Sequence, residues 1–297
     1  MSYTSGGIIQ SSDFNNMTST VNNTLSSHYG QGPLTSFVTS SNTVSAYVTN
    51  SLVTSSNMLI NHQGLNGRTL STSVAQGSNI TTSNIQSNVN TLNPYRFYAA
   101  SNSTVQAAYV QTGYQWSNDM DHRFTVTGGN LDYFFNSGGQ IKLSFYHPYN
   151  TSWDGLFSNL ATRCGTIVIS AASGATIAGS SYNGVTKIGG SGSPAALYND
   201  RGWYNLNGSW QGLFTQYASD IPGGMSLAYA STYLQVSAYK SGNNLYFQVL
   251  YDEAPNGVTM SAGTTSYIYI ASPSTTYINN SWGTVTASGY NFADLWG

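Results

Sequence analysis

The spacing of apolar residues changes character at Asn93-Pro94. Before that dipeptide, apolar residues recur every three or four positions. After it they mostly alternate with polar ones. A 3.6-residue period and a 2-residue period cannot serve the same backbone, so the change predicts two architectures in one chain. Proline disfavours helix in the residue before it, which fixes the end of the first region. The expected organisation is an N-terminal helical docking region over 1–95, then a Tyr-rich antiparallel β-sandwich over 96–297. The predicted fold class is mainly β, a sandwich or jelly-roll-like domain preceded by a small α-helical region.

In the first region Phe14, Met17, Val21 and Leu25 share one helical face, with Ser11 or Ser12 as N-cap and Gly30 as the stop. A second stripe holds Leu52, Val53, Ser56, Leu59 and Ile60 and ends near His62-Gln63-Gly64. A third holds Ile85, Val89 and Leu92 and starts after Thr81 or Thr82. Ser, Thr and Asn fill the polar faces and compete with the backbone for hydrogen bonds, so these helices need packing to persist. Phe14, Met17, Val21, Leu59 and Ile60 are therefore the candidate interface residues, expected to dock the region onto a neighbour.

In the second region Phe124–Val126, Gln140–Phe145, Thr166–Ile169, Tyr233–Tyr239, Leu245–Tyr251 and Tyr267–Ile270 read as strands. Lys240–Asn244 reads as a hairpin loop. Two helices are expected among them: one carrying Trp153, Leu156, Phe157 and Leu160, and one carrying Trp210, Phe214 and Tyr217. Ala171–Ser193, rich in Gly and Ser, reads as an exposed excursion suited to an intersubunit contact.

Charge narrows the function classes. Only 6% of the 297 residues are charged, the net charge is −2, and Lys and Arg number eight, against about 25% charged residues in an ordinary domain. No basic footprint exists for phosphates, so no nucleic-acid partner is expected. No apolar run reaches the length of a membrane span, and the start MSYTSGGIIQ lacks the charged and apolar regions of a signal peptide, which predicts assembly in a cytoplasm. A surface without charge is expected to be packed against copies of itself or other proteins.

Candidate chemistry is sparse. Asp119, Asp121 and His122 match no metal spacing and read as a turn capping the next strand. Asp252-Glu253 reads as a strand-end turn. A glycosidase would need a second carboxylate from Asp132, Asp154 or Asp200. The four His are widely separated and read as structural, and Cys164 as a buried small hydrophobe. No catalytic, cofactor-binding or metal-binding residues are assigned. The aromatics offer the alternative: Trp203, Tyr204 and Trp210 as a stacking platform for glycans.

Asp13-Phe14-Asn15, Val21, Tyr29-Gly30-Gln31, Val38, Leu59 and His62-Gln63-Gly64 resemble the N-terminal pattern of a family of tailed-bacteriophage virion structural proteins of the marine cyanophage type. Trp116, His122 and Phe134-Phe135-Asn136-Ser137-Gly138-Gly139-Gln140-Ile141-Lys142-Leu143 are similar to that family's "FFNAGGxIR" signature, with Ser137 where Ala is usual and Lys142 where Arg is usual. Trp153–Leu160, Gly165–Ile167, Gly202–Leu206 and the strands ending at Tyr251-Asp252 are similar too. The resemblance covers 10–65 and 115–255. It implies a virion component without enzymatic activity or cofactor and does not settle which part of the particle. The expected place is the tail, baseplate or neck, with copies of the chain itself and other virion proteins as partners. The alternative is a receptor-binding fibre or adhesin domain that recognises host surface glycans.

Overall fold

A computed structural model of the chain describes residues 11–39, 44–76, 83–220, 229–254 and 257–292. Helix α1 (Ser11–Asn23) buries Phe14, Met17 and Val21, and the chain continues as a π turn (Thr24–His28) that brings Leu25 into the same core. Gly30 then turns the chain at φ +64°. A side chain there would strike the Tyr133 ring as well as strain the backbone. Helix α2 (Ala46–His62) is capped by Ser45, whose Oγ accepts from Val48 N at 3.4 Å, and buries Leu52, Val53, Ser56, Leu59 and Ile60. Helix α3 (Ser83–Leu92) buries Ile85, Val89 and Leu92. Its expected caps, Thr81 and Thr82, lie outside the described residues.

The asparagines explain how helices so poor in strong helix formers persist. Asn15 Nδ2 donates to Val38 O while its Oδ1 accepts from Val38 N, each at 2.8 Å. Asn57 makes the same reciprocal pair with Ser71, and Asn50 with Val74. Asn22 grips Thr35 in the same way. A side-chain amide has the donor and acceptor of a peptide group, so each asparagine holds an extended segment as a strand would. The Asn-rich polar faces thus satisfy the connecting segments within the chain.

The second region is mainly β, as expected: thirteen strands among the described residues, in antiparallel sheets. Strand β1 (Asn102–Gln111) pairs with β12 (Thr265–Pro273), which pairs with β3 (Gln140–Tyr146), then β4 (Thr166–Ile169), then β7 (Val185–Ile188). The six-stranded sheet runs β13 (Thr286–Phe292), β2 (Asp119–Thr127), β11 (Asn244–Asp252), β10 (Tyr233–Ser241), β9 (Gln211–Tyr217), β8 (Ala196–Leu197). A small hairpin, β5 (Ala175–Ile177) with β6 (Ser180–Tyr182), lies in the Gly- and Ser-rich excursion. The inner faces close on Phe124, Val126, Ile141, Leu143, Phe247, Val249 and Ile268. Helix α5 (Asp154–Cys164) carries Leu156, Phe157 and Leu160 into this core and ends at Gly165, φ +63°. Helix α4 (Leu131–Asn136) lies against the helical region.

Two expectations are corrected. Trp210, Phe214 and Tyr217 do not lie on a helix, because Gln211–Tyr217 is strand β9, laddered to β10. Three aromatics at helical spacing carry little weight beside the ladder to β10 and the nearby Gly208 and Gly212. Nor are Asp119, Asp121 and His122 a turn. They lie on β2, with His122 facing inward beside Met120, Phe124 and Val126, and the turn falls earlier, at Asn118 with φ +71°.

Candidate functional site

The five candidate interface residues do not reach the surface. Phe14 and Met17 are 1% exposed, and Val21, Leu59 and Ile60 are 0% exposed. The helical stripes are consumed in closing α1, α2 and α3 on one another, so the expectation that they form an outer docking face is corrected. The helical region is instead fastened to the sandwich side of the same chain. Gln31 Nε2 donates to Asn279 O at 2.9 Å, Ala100 N donates to His62 O at 2.6 Å, and Ser281 Oγ bonds Tyr29 O.

His122, His147, Asp154 and Glu253 are absorbed in internal networks. Trp116 Nε1 donates to Thr264 Oγ1 at 2.8 Å, Thr264 contacts His147 Nδ1 at 2.8 Å, and His147 Nε2 donates to Asp154 Oδ1 at 3.0 Å. Asp154 also accepts from the amides of Asn150, Thr151 and Ser261 and from the Ser261 hydroxyl. Burial alone would raise its carboxyl, but these donors hold it well below the usual range. His122 lies between Thr112 and Ser266, each at 2.9 Å, and Tyr251 bonds Ser266 from the opposite sheet. Glu253 is buried and accepts from the Val258 and Asn118 amides. Burial pushes the Cys164 thiol up. Among the described residues no group of three His, Cys, Asp or Glu could hold a metal.

Two surface features remain. The first is an aromatic ridge on the outer face of the six-stranded sheet. Tyr239 and Tyr246 face each other across β10 and β11 with rings stacked 4.5 Å apart. Trp210, 44% exposed, meets Tyr239 edge-on at 4.6 Å. The Arg123 guanidinium lies 3.8 Å over Phe292 and 5.9 Å from Trp210, and Asp121 Oδ2 holds it with bonds of 2.9 and 2.8 Å. Tyr290 on the neighbouring edge strand is exposed.

The second is a cleft of about 570 Å³ where the helical region meets the sandwich. Ser27 and His28 from the π turn, Asn93 and Arg96 after α3, Asn130, Asp132, Tyr133 and Asn136 around α4, and Tyr204 line it. Asp132 Oδ1 accepts from Trp203 Nε1 at 2.6 Å, and the Tyr204 hydroxyl donates to Asp132 O at 3.4 Å. Phe97 packs behind Tyr204 at 5.5 Å, and Arg96 lies 4.2 Å over Phe97. Burial and the Asp132 charge push the Tyr204 hydroxyl up to about 12, opposed by the Asn136 side chain. Burial, then the Arg96 charge, lower His28. Asn136 is 3% exposed, and its Oδ1 has no partner.

Of the three proposed stacking residues, only Tyr204 and Trp210 present a ring to solvent. Trp203 is buried, stacked on Phe135 at 5.3 Å, so its expected role as a platform is corrected. The chain order offered no signal for Arg96 or Asn130 and marked Asn136 only within the Phe134–Leu143 resemblance, because the cleft draws on four separate segments. No helix among the described residues is long and apolar enough to cross a membrane. No family model, curated protein or solved structure matches the chain.

Proposed function

We infer that the chain is a non-enzymatic structural component of a bacteriophage virion, in the tail, baseplate or neck, assembled in the host cytoplasm with copies of itself and other virion proteins. The observation that carries this reading is the ridge of Trp210, Tyr239, Tyr246 and Arg123 on an outer sheet face. Interface centres are enriched in Tyr, Trp and Arg, and the ridge supplies all three, with the Asp121 carboxylate beside it paired to Arg123. The 6% charge of the whole chain and the resemblance carried by Phe134–Leu143 support the same reading. With the stripes of α1 and α2 buried, this reading takes the sheet rather than the helices as the assembling surface. Mass spectrometry of purified virions tests it: the chain is expected as a stoichiometric component, and its absence from particles overturns the assignment.

A second reading, a receptor-binding domain for host surface glycans, is favoured by one observation: Tyr204 presents a half-exposed ring to a polar cleft rather than to a flat face.

A further inference from the structure

The geometry points to the cleft between the helical region and the sandwich as a binding site for a neutral saccharide, held by Arg96, Asn130, Asp132, Asn136 and the rings of Tyr133 and Tyr204. The inference rests on the second reading above and gives it a location and a ligand class.

The volume, about 570 Å³, falls among small-ligand clefts of roughly 300–1,000 Å³. The lining selects the chemistry. It carries one guanidinium, Arg96, and one carboxylate, Asp132, so neither a phosphate nor a cation finds a site of one sign. The amides of Asn93, Asn130 and Asn136 add uncharged polar groups, which suits a ligand rich in hydroxyls better than an ion. Tyr133 and Tyr204 supply apolar ring surface with a polar tip, as the apolar faces of a pyranose require.

The groups are also held in place before any ligand arrives. The Trp203 indole N–H fixes Asp132, Phe97 backs Tyr204, and Asn130 caps α4 by accepting from Tyr133 N at 3.1 Å. Preorganised groups lose little freedom on binding, which raises affinity for a given set of contacts.

The test is a microarray of immobilised neutral and acidic oligosaccharides probed with the full chain, followed by calorimetric titration of the best binder against variants. Binding to neutral saccharides is expected, weakened at least about tenfold (about 1.4 kcal/mol) by Tyr204→Ala and by Asp132→Asn, and unchanged by Trp210→Ala. Asp132→Asn keeps the acceptor for Trp203, so it serves even if Tyr204→Ala does not fold. An array with no bound saccharide overturns both the site and the glycan reading. Binding that survives both cleft variants but is lost in Trp210→Ala overturns the cleft and keeps that reading. Binding confined to acidic saccharides overturns the ligand class.

Discussion

Asp154 accepts the Nε2 hydrogen of His147 at 3.0 Å, and neither side chain is exposed. The pair has the geometry of a catalytic dyad but is sealed inside the sandwich. It ties the loop before α5 to Ser261 on the way to β12. Replacing Asp154 by Ala strips the partner from five donors at once. A loss of about 3–5 kcal/mol is expected, since breaking one member of a buried charged network leaves the rest unpaired. Urea unfolding measures it, and a loss below about 1 kcal/mol contradicts the clamp.

Acid should weaken the fold earlier than carboxylate titration alone would. Burial lowers His62 and His122 to about 4, and lowers His147 despite Asp154. An unfolded histidine titrates near about 6.5. As pH falls below that value the unfolded chain takes up protons that the folded chain does not, so stability is lost between about pH 6.5 and 4. The depressed Asp154 carboxyl has the same sign and extends the loss below the unfolded carboxylate value of about 3.9. A melting temperature level between about pH 7 and 8 and falling steeply toward pH 4 is expected, while a level profile from pH 7 to pH 4 contradicts it.

The helical stripes should behave as core. Leu59→Ala or Phe14→Ala is expected to cost about 3–5 kcal/mol, as for other fully buried large side chains. Thermal unfolding followed by far-ultraviolet circular dichroism checks this. A change within about 0.5 kcal/mol, the range of surface sites, would return these residues to the surface role expected from the sequence.

The ridge should show the reverse pattern. Trp210→Ala combined with Tyr246→Ala is expected to leave the melting temperature nearly unchanged and to weaken association by about 2 kcal/mol or more, the cost of losing interface anchors. Sedimentation velocity across a concentration series, alone and with virion extracts, reads both effects. Unchanged association with the fold intact removes the ridge from the assembling surface.

Gly138 tests the turn after Asn136. Its φ is +89°, and an added Cβ would overlap the side chain of Ala99. Gly138→Ala is expected to destabilise by more than the roughly 1 kcal/mol that left-handed strain alone costs. Denaturant titration decides it, and a neutral substitution would mean that the close approach to Ala99 relaxes freely.

Where the sequence carried a strong period it was legible. Phe14, Met17, Val21 and Leu25 declared a buried helical face, and Ile141, Leu143 and Phe145 an inward strand face. What the stripes could not declare was their partner, because a face that meets the same chain looks identical to one that meets another. On β2 the inward series Met120, His122, Phe124 and Val126 was present, but a polar residue at a core position broke the apolar pattern. His122 is tolerated there only because Thr112 and Ser266 satisfy both ring nitrogens, and that is tertiary information. The same holds for the cleft, whose residues meet only once the helices have docked.

The central claim is that protein covers the aromatic face of the six-stranded sheet. A cryo-EM reconstruction of the intact virion tests it most directly. The account predicts density for the sandwich with Trp210, Tyr239 and Tyr246 against a neighbouring protein. A particle in which that face looks into solvent would contradict it.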